Sequence, residues 1–361
     1  MYDPEGKEYL DLISGVAVSN VGHCHPKVVG AIKGQCEKHM HLMVYGETIQ
    51  SPQVKLTSLL TRHLPESLNS VYLVNSGAEA TEGAMKLAKR FTGRSEIVSF
   101  KKSYHGSTQG ALSLMGDETF KQAFRPLLPD VRILEFNNAN HLEQITEKTA
   151  CVFAETIQAE AGIIEPTDGF LEKLRQRCNE TAALLVLDEI QVGFGRTGKL
   201  WAFEHYNVVP DIILLAKGMG GGMPIGAFIA NKEVMHSLTN SPILGHITTF
   251  GGNAVCAAAA FAALSVILDE KLHENARQKE ALFRENLKHP AIKEVRGRGL
   301  FLAARFDSFE QTKKIIDRCL QMGLLTDCFL FADNCLRIAP PLIISDEEIV
   351  KSCEIIKKAL G

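Results

Sequence analysis

The chain has 361 residues, of which 45% are hydrophobic and 22% are charged. This length corresponds to about two or three ordinary domains, and this composition is typical of a folded globular protein and excludes extensive disorder. The 39 basic and 42 acidic side chains give a net charge of −3, so the chain lacks the electrostatic footprint of a nucleic-acid-binding protein.

Neither a membrane span nor a secretory leader is indicated. No apolar run approaches the roughly 18–20 residues that cross a bilayer, and no basic start is followed by an apolar stretch. The nine cysteines are odd in number, irregularly spaced and free of any C-x-x-C pair, which argues against a disulfide framework and against a zinc site. We therefore predict a cytoplasmic protein without a metal site.

Residues 1–50 carry strand and turn signals but no core of their own, so we expect them to pack with another part of the chain. Beyond them, short β-rich runs alternate with helical or polar segments, and several runs are apolar throughout, as in strands covered on both faces. The runs cover residues 71–74, 97–99, 131–136, 150–154, 183–187, 212–215 and 225–230. This alternation predicts an α/β domain over residues 51–253 with a mostly parallel seven-stranded sheet between helices.

A helix is predicted between the first two strands, from about Ala78 to Phe91, with Gly93 as its stop signal. Its apolar positions share one helix face: Ala80, Ala84, Leu87, Ala88 and Phe91.

The pattern of β-rich runs alternating with helical segments ends at about Ala254. An alanine-rich helix is predicted over 257–268, followed by charged helices near 271–288 and 309–322 and by short strands near 300–305 and 335–338. Residues 254–361 are thus predicted to form a smaller α/β domain.

Residues 193–199, Gly-Phe-Gly-Arg-Thr-Gly-Lys, match both a dinucleotide-binding turn and a phosphate-binding loop. The phosphate loop requires Ser or Thr next, but Leu200 follows, and the dinucleotide turn should leave its strand directly, but residues 188–192 intervene. We favour a plain glycine-rich loop and keep a nucleotide-dependent enzyme that uses Gly193 to Lys199 as a distant alternative.

A phosphate site is indicated at residues 75–80, Asn-Ser-Gly-Ala-Glu-Ala, where the first strand meets the helix. Gly77 lets the chain turn and lets a ligand approach the backbone. The free N–H groups and the positive end of the helix dipole attract an anion. Ordinary helix capping by Ser76 is the alternative interpretation.

Two further residues stand at strand ends. Asp188 follows the run 183–187, at the end of the strand where ligands of open α/β sheets collect, although a helix cap or a surface turn is the alternative. Lys217 lies between an apolar strand and the glycines at 218 and 220–222. Burial there would lower its pKa and make its amine nucleophilic, whereas a solvated loop lysine is the alternative.

Together, a helix-end phosphate site, a strand-end carboxylate and a glycine-flanked lysine are what a pyridoxal 5'-phosphate (PLP) site requires. The lysine would form an imine with the cofactor's aldehyde, and the carboxylate would keep the ring nitrogen protonated.

These motifs are similar to those of the class III aminotransferases of PLP fold type I, in particular the acetylornithine and ornithine aminotransferases. The resemblance runs from Tyr9 to near the C-terminus. The matching segments are 9–11 with 22–26, 75–80, 104–106, 155–158 with Glu160, 188–191 with 193–198, 216–218, 249–253, and Arg337 with 339–341. It implies a large PLP-binding domain and a small domain built from the two chain ends.

The resemblance also implies roles for the residues around the cofactor ring. Lys217 forms the imine and carries the proton, and Asp188 pairs with the ring nitrogen. Gln191 bonds the ring hydroxyl, and Ile190 and Tyr104 cover the two ring faces.

Around the phosphate, the family pattern assigns backbone N–H groups of Gly77 and Ala78 to its oxygens. Thr249 would reach the phosphate of a neighbouring subunit, which makes the site a property of a homodimer. Thr248 would lie beside the substrate.

For the substrate, the resemblance implies that Arg337 holds an α-carboxylate and that Glu160 masks Arg337 when the donor presents its distal amine. The family usually has Arg where this chain has Ser107, a residue that cannot grip a donor's carboxylate in the same way. The function implied is transfer of an amino group, from an acetylornithine- or ornithine-like donor, to 2-oxoglutarate.

The open alternatives on this scaffold are 4-aminobutyrate or amine:pyruvate transaminase, a mutase and a racemase. A non-catalytic binding module is a further alternative, against which the intact Lys217 and Asp188 argue.

Overall fold

The computed structural model describes residues 1–43 and 47–361. Its helices are α1 (Ser14–Ala17), α2 (Pro26–Cys36), α3 (Ser51–Arg62), α4 (Gly77–Thr92), α5 (Gln109–Ser113), α6 (Phe170–Thr181), α7 (Lys232–His236), α8 (Ala254–Asp269), α9 (Leu272–Asn286), α10 (Phe309–Gln321) and α11 (Asp346–Leu360). Short 3₁₀ helices cover Glu118–Phe120, Gln122–Phe124, Ala139–Gln144, Ala202–His205 and Lys217–Gly220.

The strands are β1 (Leu10–Asp11), β2 (Ser70–Val74), β3 (Glu96–Phe100), β4 (Val131–Leu134), β5 (Thr149–Glu155), β6 (Leu184–Asp188), β7 (Ile212–Leu215), β8 (Gly226–Ala230), β9 (Glu294–Arg298), β10 (Phe301–Arg305), β11 (Leu324–Leu325), β12 (Cys328–Phe329) and β13 (Ala332–Ile338).

The central sheet has seven strands in the order β2-β8-β7-β6-β5-β3-β4. Strand β8 runs antiparallel to both of its neighbours, and the other neighbouring pairs are parallel. Strands β5 to β8 are buried along their whole length, because apolar clusters cover both faces of the sheet. The predicted α/β class and mostly parallel seven-stranded sheet are confirmed.

Helix α4 packs on the sheet through the predicted face, with Ala80, Ala84, Leu87 and Ala88 buried. Phe91 does not belong to that face, since it is 40% exposed. It lies in the last helical turn beside Arg90, which is also exposed, so the apolar stripe ends one turn before the helix does.

A second sheet, with the antiparallel order β12-β13-β10-β9, lies in the C-terminal part. Strand β1 pairs with β11, and the Ala339 N–H donates to Leu12 O at 2.8 Å, which ties the N-terminal segment to this part. Helix α8 contacts α2 and α3 as well as α9, so one core crosses the predicted boundary at 253/254. The boundaries 1–50, 51–253 and 254–361 stay predictions, and residues 44–46 lie outside the described residues.

All nine cysteines are free. Among the helices of the described residues, none combines the length and the apolar character needed to cross a membrane.

The parallel strands of the central sheet end at one edge, and their carboxyl ends bring distant residues together. Glu155 at the end of β5 is the register partner of Asp188 at the end of β6. Strand β7 ends two residues before Lys217, and β2 ends just before Asn75.

Candidate active site

A cavity of about 630 Å³ opens at this edge of the sheet. Its walls come from loops that follow β2, β3, β5, β6 and β7, together with Val18 of the N-terminal segment. The lining residues include Gly77, Ala78, Tyr104, Ser107, Glu155, Asp188, Ile190, Gln191 and Lys217.

The N-terminus of α4 forms one wall of the cavity. Ser76 caps the helix by accepting from the Glu79 N–H at 3.1 Å, and the first backbone bond of the helix runs from the Ala80 N–H to Ser76 O. The N–H groups of Gly77 and Ala78 precede that bond. A Cβ on Gly77 would lie 2.8 Å from Ile190 Cδ1, so a larger residue would displace the Ile190 side chain. The free N–H groups at the helix end can receive an anion.

Asp188 is 5% exposed and has fixed partners. His105 Nδ1 lies 2.7 Å from Asp188 Oδ2, and the Ile190 N–H donates to Asp188 Oδ1 at 2.9 Å. These contacts hold the carboxylate in one orientation beside the cavity. Sequence reasoning assigned no role to His105, although it stands directly after Tyr104 in a motif of the family.

Glu155 is a second carboxyl group at the sheet edge. Burial, and then the charge of Asp188, raise the pKa of Glu155 well above its usual range. The Ala159 N–H donates to Glu155 Oε1 at 3.2 Å, and Glu155 Oε2 is buried without a partner. The raised pKa favours the uncharged form of Glu155, the register partner of Asp188. Glu155 was also missed as a candidate.

Lys217 begins the 3₁₀ turn after β7 with φ of 46°. Burial lowers the pKa of its amine to about 8, although Glu160, Asp188 and Glu155 oppose that shift. A group with this pKa has a neutral, nucleophilic fraction near pH 7.

Beyond the ring site, Arg337 and Glu160 form a buried ion pair. Arg337 Nη2 lies 3.1 Å from Glu160 Oε2, and both Nη atoms lie 3.3 Å from Glu160 Oε1. Asp327 Oδ1 accepts from Arg337 Nε at 2.7 Å, and the guanidinium stacks over Phe329 at 4.3 Å. The sequence predicted the pairing with Glu160 but not Asp327, which carries no pattern of its own.

Gln191 connects the ion pair to the cavity. Its Nε2 donates to Glu160 Oε1 at 3.1 Å, and its Oε1 is buried without a partner. Tyr104 and Ser107 line the cavity from the loop that follows β3. Their hydroxyl oxygens are 3.0 Å apart.

Four predicted residues do not line this cavity: Arg337 and Glu160, whose ion pair is described above, and Thr248 and Thr249. Thr248 lines a second cavity of about 560 Å³ and accepts from Asn75 Nδ2 at 3.3 Å. Thr249 is exposed. The proximity of Thr248 to the substrate stays a prediction, and so does the reach of Thr249 to the phosphate of a neighbouring subunit.

The glycine-rich loop from Gly193 to Lys199 has a packing role. Arg196 is fully buried and donates to Leu300 O at 3.0 Å and to Pro340 O, so the loop fastens the large sheet to the C-terminal part. Lys199 is exposed and does not line the cavity. This arrangement gives no support to the nucleotide-binding alternative.

PLP fits the donor set of the cavity. The helix end offers N–H groups to a phosphate, Asp188 offers a carboxylate to a ring nitrogen, and Lys217 offers an amine to an aldehyde. The buried Gln191 Oε1 lacks a partner that a bound polar group can supply. The residues that the structure describes contain no group of three or more His, Cys, Asp or Glu side chains that could hold a metal ion.

The family model of class-III aminotransferases matches residues 1–360. The acetylornithine aminotransferase of Methanopyrus kandleri is 40% identical over 365 residues, which cover 100% of this chain and 92% of that protein. Among solved structures, the ornithine aminotransferase of Toxoplasma gondii, described with partial occupancy of PLP at its active site, has a TM-score of 0.93 at 32% identity and covers 99% of this chain and 86% of its own. A transaminase from the marine bacterium Virgibacillus has a TM-score of 0.94 at 27% identity and covers 99% of this chain and 90% of its own.

Proposed function

Because the chain belongs to the class-III aminotransferase family, we propose that it moves the distal amino group of an acetylornithine- or ornithine-like donor to 2-oxoglutarate. It is a PLP-dependent aminotransferase. The observation that carries the proposal is the buried pair of Arg337 and Glu160, 3.1 Å apart, connected by Gln191 to the cavity that holds Lys217. An arginine that can be masked suits an enzyme that must accept an ω-amine and an α-keto acid in turn.

The cofactor is held by five groups in this proposal. Lys217 would bind it covalently, Asp188 would pair with its ring nitrogen, and Gln191 would bond its ring hydroxyl. Gly77 and Ala78 donate their N–H groups to its phosphate. When bound, PLP supplies an electron-accepting ring and a carrier for the amino group.

The protein's own groups perform the remaining tasks. The Lys217 amine would take the proton from the substrate carbon that bears the amino group and pass it to the aldehyde carbon of the cofactor. Its pKa of about 8 is close to the operating pH, which suits this transfer. Asp188, oriented by His105, keeps a negative charge opposite the ring nitrogen. Ile190 and Tyr104 exclude water from the ring faces.

The pair of Arg337 and Glu160 allows one site to accept two different substrates. With Glu160 in place the arginine is neutralised, and a donor can present its distal amine without a carboxylate near Lys217. When a keto acid enters, its α-carboxylate replaces Glu160 on the Nη edge as a bidentate pair.

A homodimer with shared sites is part of the proposal. Large apolar side chains are exposed around the second cavity, close to Thr248 and Thr249: Ile49 (92%), Ile243 (78%) and Phe250 (57%). Such a patch is typical of an interface, and a second copy would bring both threonines to its neighbour's cofactor. The cytoplasm remains the proposed location.

A second candidate is transfer from a simple amine or 4-aminobutyrate, with pyruvate as an alternative acceptor. The observation in its favour is the charge of the cavity. Within the described part of the chain, Lys217 is the only Lys or Arg among the lining residues, and Ser107 offers no cation. A far-end carboxylate, whether of an ornithine-type donor or of 4-aminobutyrate, gains nothing from these walls, so this observation favours the simple amine.

The test is a steady-state comparison of donors with the purified enzyme. We would measure kcat/KM for N-acetylornithine, N-succinylornithine, ornithine, 4-aminobutyrate, lysine and a simple alkylamine, each with 2-oxoglutarate and with pyruvate. The proposal expects an ornithine-derived donor with 2-oxoglutarate to be best. A simple amine with pyruvate as the best pair would select the second candidate, and no transfer from any donor would contradict both.

A further inference from the structure

Arg337 is bound by two carboxylates rather than one. Asp327 Oδ1 lies 2.7 Å from Nε, and Glu160 takes the Nη1/Nη2 edge at 3.1 to 3.3 Å. The Arg337 side chain is 3% exposed. One buried cation therefore has two anionic partners, on different edges of the guanidinium fork.

The two carboxylates stand on different segments of the chain, and within the described residues only Glu160 has further side-chain hydrogen bonds besides those to Arg337. Asp327 stands just before β12, whose neighbour β13 carries Arg337, and the Arg337 N–H donates to Asp327 O at 2.8 Å. Asp327 therefore moves with the arginine. Glu160 belongs to the turn between Gln158 and Ile164 after β5. Its side chain has two other donors, Leu330 N and Gln191 Nε2, both at 3.1 Å, and its carbonyl oxygen accepts from the Phe331 N–H at 3.0 Å.

The difference in anchoring matters when Glu160 leaves. A buried guanidinium without a counter-charge is costly, and a single carboxylate that remains bound reduces that cost. The Nε bond also fixes the plane of the guanidinium over Phe329, so that the Nη edge keeps its direction. Asp327 is placed to do both, because its contact does not involve the edge that a substrate needs.

We propose that Asp327 is a positioning residue that holds Arg337 by its Nε edge, so that a substrate α-carboxylate can replace Glu160 on the Nη edge without reorienting the guanidinium. This inference rests on the proposed exchange between Glu160 and a keto acid. It assigns Asp327 a role in one half-reaction, the one in which a carboxylate binds Arg337, and none in the half-reaction of an ω-amine donor.

The test compares Asp327→Ala and Asp327→Asn in the holoenzyme. Asp327→Ala is expected to raise KM for the keto acid, and the calorimetric Kd of glutarate as a non-reacting carboxylate probe, by roughly 10- to 100-fold, the range of a lost charge-assisted hydrogen bond. The KM of an ω-amine donor and kcat at saturating keto acid should change less than about threefold. Asp327→Asn keeps an acceptor for Nε and should recover most of the affinity for glutarate.

Glu165→Ala is a matched control. Glu165 Oε2 lies 2.8 Å from Nε of Arg298, a similar contact outside the cavity, and its loss should leave the KM for keto acid and the Kd of glutarate unchanged. Equal losses in both half-reactions of Asp327→Ala, unchanged glutarate binding, or an Asp327→Asn variant as weak as Asp327→Ala would each overturn the inference. Absence of amino transfer in the wild type would instead contradict the proposed function.

Discussion

Buried carboxylates occupy two regions of the active site, and their partners differ. At the sheet edge, Asp188 is bonded to His105 Nδ1 and to the Ile190 N–H, within 2.7 and 2.9 Å. Towards the C-terminal sheet, Glu160 shares Arg337 with Asp327 and has two alternative donors. Among the described residues, the first carboxylate has no hydrogen-bond partner besides these two, whereas the second has donors other than Arg337, as the proposed exchange of Glu160 for a substrate carboxylate requires.

The difference follows from where each residue stands in the fold. Asp188 ends a strand that is buried on both faces and takes its partners from the adjacent loops. Glu160 stands in a turn after β5, whereas Arg337 stands on β13, and the carboxylate of Glu160 also accepts from the Leu330 N–H and from Gln191 Nε2. A fixed charge suits a cofactor that stays, and an exchangeable charge suits substrates that alternate.

The region at the sheet edge that carries Asp188 and Lys217 is called the fixed end below. The largest effect is expected there, from Lys217→Ala. Turnover and the yellow absorbance of the bound cofactor should both be lost, because no other amine among the described lining residues can replace it. Borohydride reduction followed by peptide mass spectrometry should label wild type at Lys217. A borohydride-reducible adduct that persists in the variant would show that a residue other than Lys217 binds the cofactor.

Asp188→Asn should come next. The amide keeps the shape of the carboxylate but removes the charge opposite the ring nitrogen, so the ring is a weaker electron acceptor. We expect PLP to remain bound while the single-turnover rate falls by roughly 10²- to 10⁴-fold, the range of other lost acid–base groups. Rates close to wild type would mean that the charge of Asp188 is dispensable. The claim that the cofactor requires a fixed charge would then be wrong.

Ser107→Arg should add a guanidinium to the cavity lining. The new guanidinium should make the enzyme more selective for donors that carry an α-carboxylate. The ratio of kcat/KM for ornithine or N-acetylornithine to that for 4-aminobutyrate or a simple amine should rise by roughly 10- to 100-fold, the value of a charge-assisted pair of about 1.5–3 kcal/mol. Ser107→Lys, which carries the charge without the planar fork, should give a smaller gain. If wild type already prefers N-acetylornithine and Ser107→Arg lowers that preference, the carboxylate is held elsewhere.

The smallest effect is a pH dependence at the fixed end. Burial lowers the pKa of Lys217 to about 8, so the neutral fraction of its amine rises with pH and levels off above that value. The rate at which apoenzyme captures PLP should therefore increase about tenfold from pH 7 to pH 9 and then reach a plateau. N-α-acetyllysine is the control, since an ordinary lysine amine should show a steeper rise without a plateau in that range, and an identical profile for the protein would contradict the shifted pKa.

Much of the fixed end could be predicted from the sequence. An apolar strand followed by Gly77, a carboxylate after a strand at Asp188 and a lysine before glycines at 217 are local patterns, and the ends of parallel strands meet by topology. The contacts that His105 and Glu155 make with Asp188 could not be predicted. His105 reaches Asp188 across 83 positions of sequence, and Glu155 acquires its raised pKa from burial and from a neighbour on another strand.

The sequence by itself determined the class of fold, the strand-end residues and the family motifs, because alternating periodicity and glycine positions are properties of short segments. Only the tertiary structure decided that Phe91 leaves the buried face, that Arg196 fastens two sheets rather than binding a phosphate, and that Asp327 joins Glu160 on Arg337. These outcomes depend on which elements pack against each other, and a buried charge acquires its partners only when the chain folds around it.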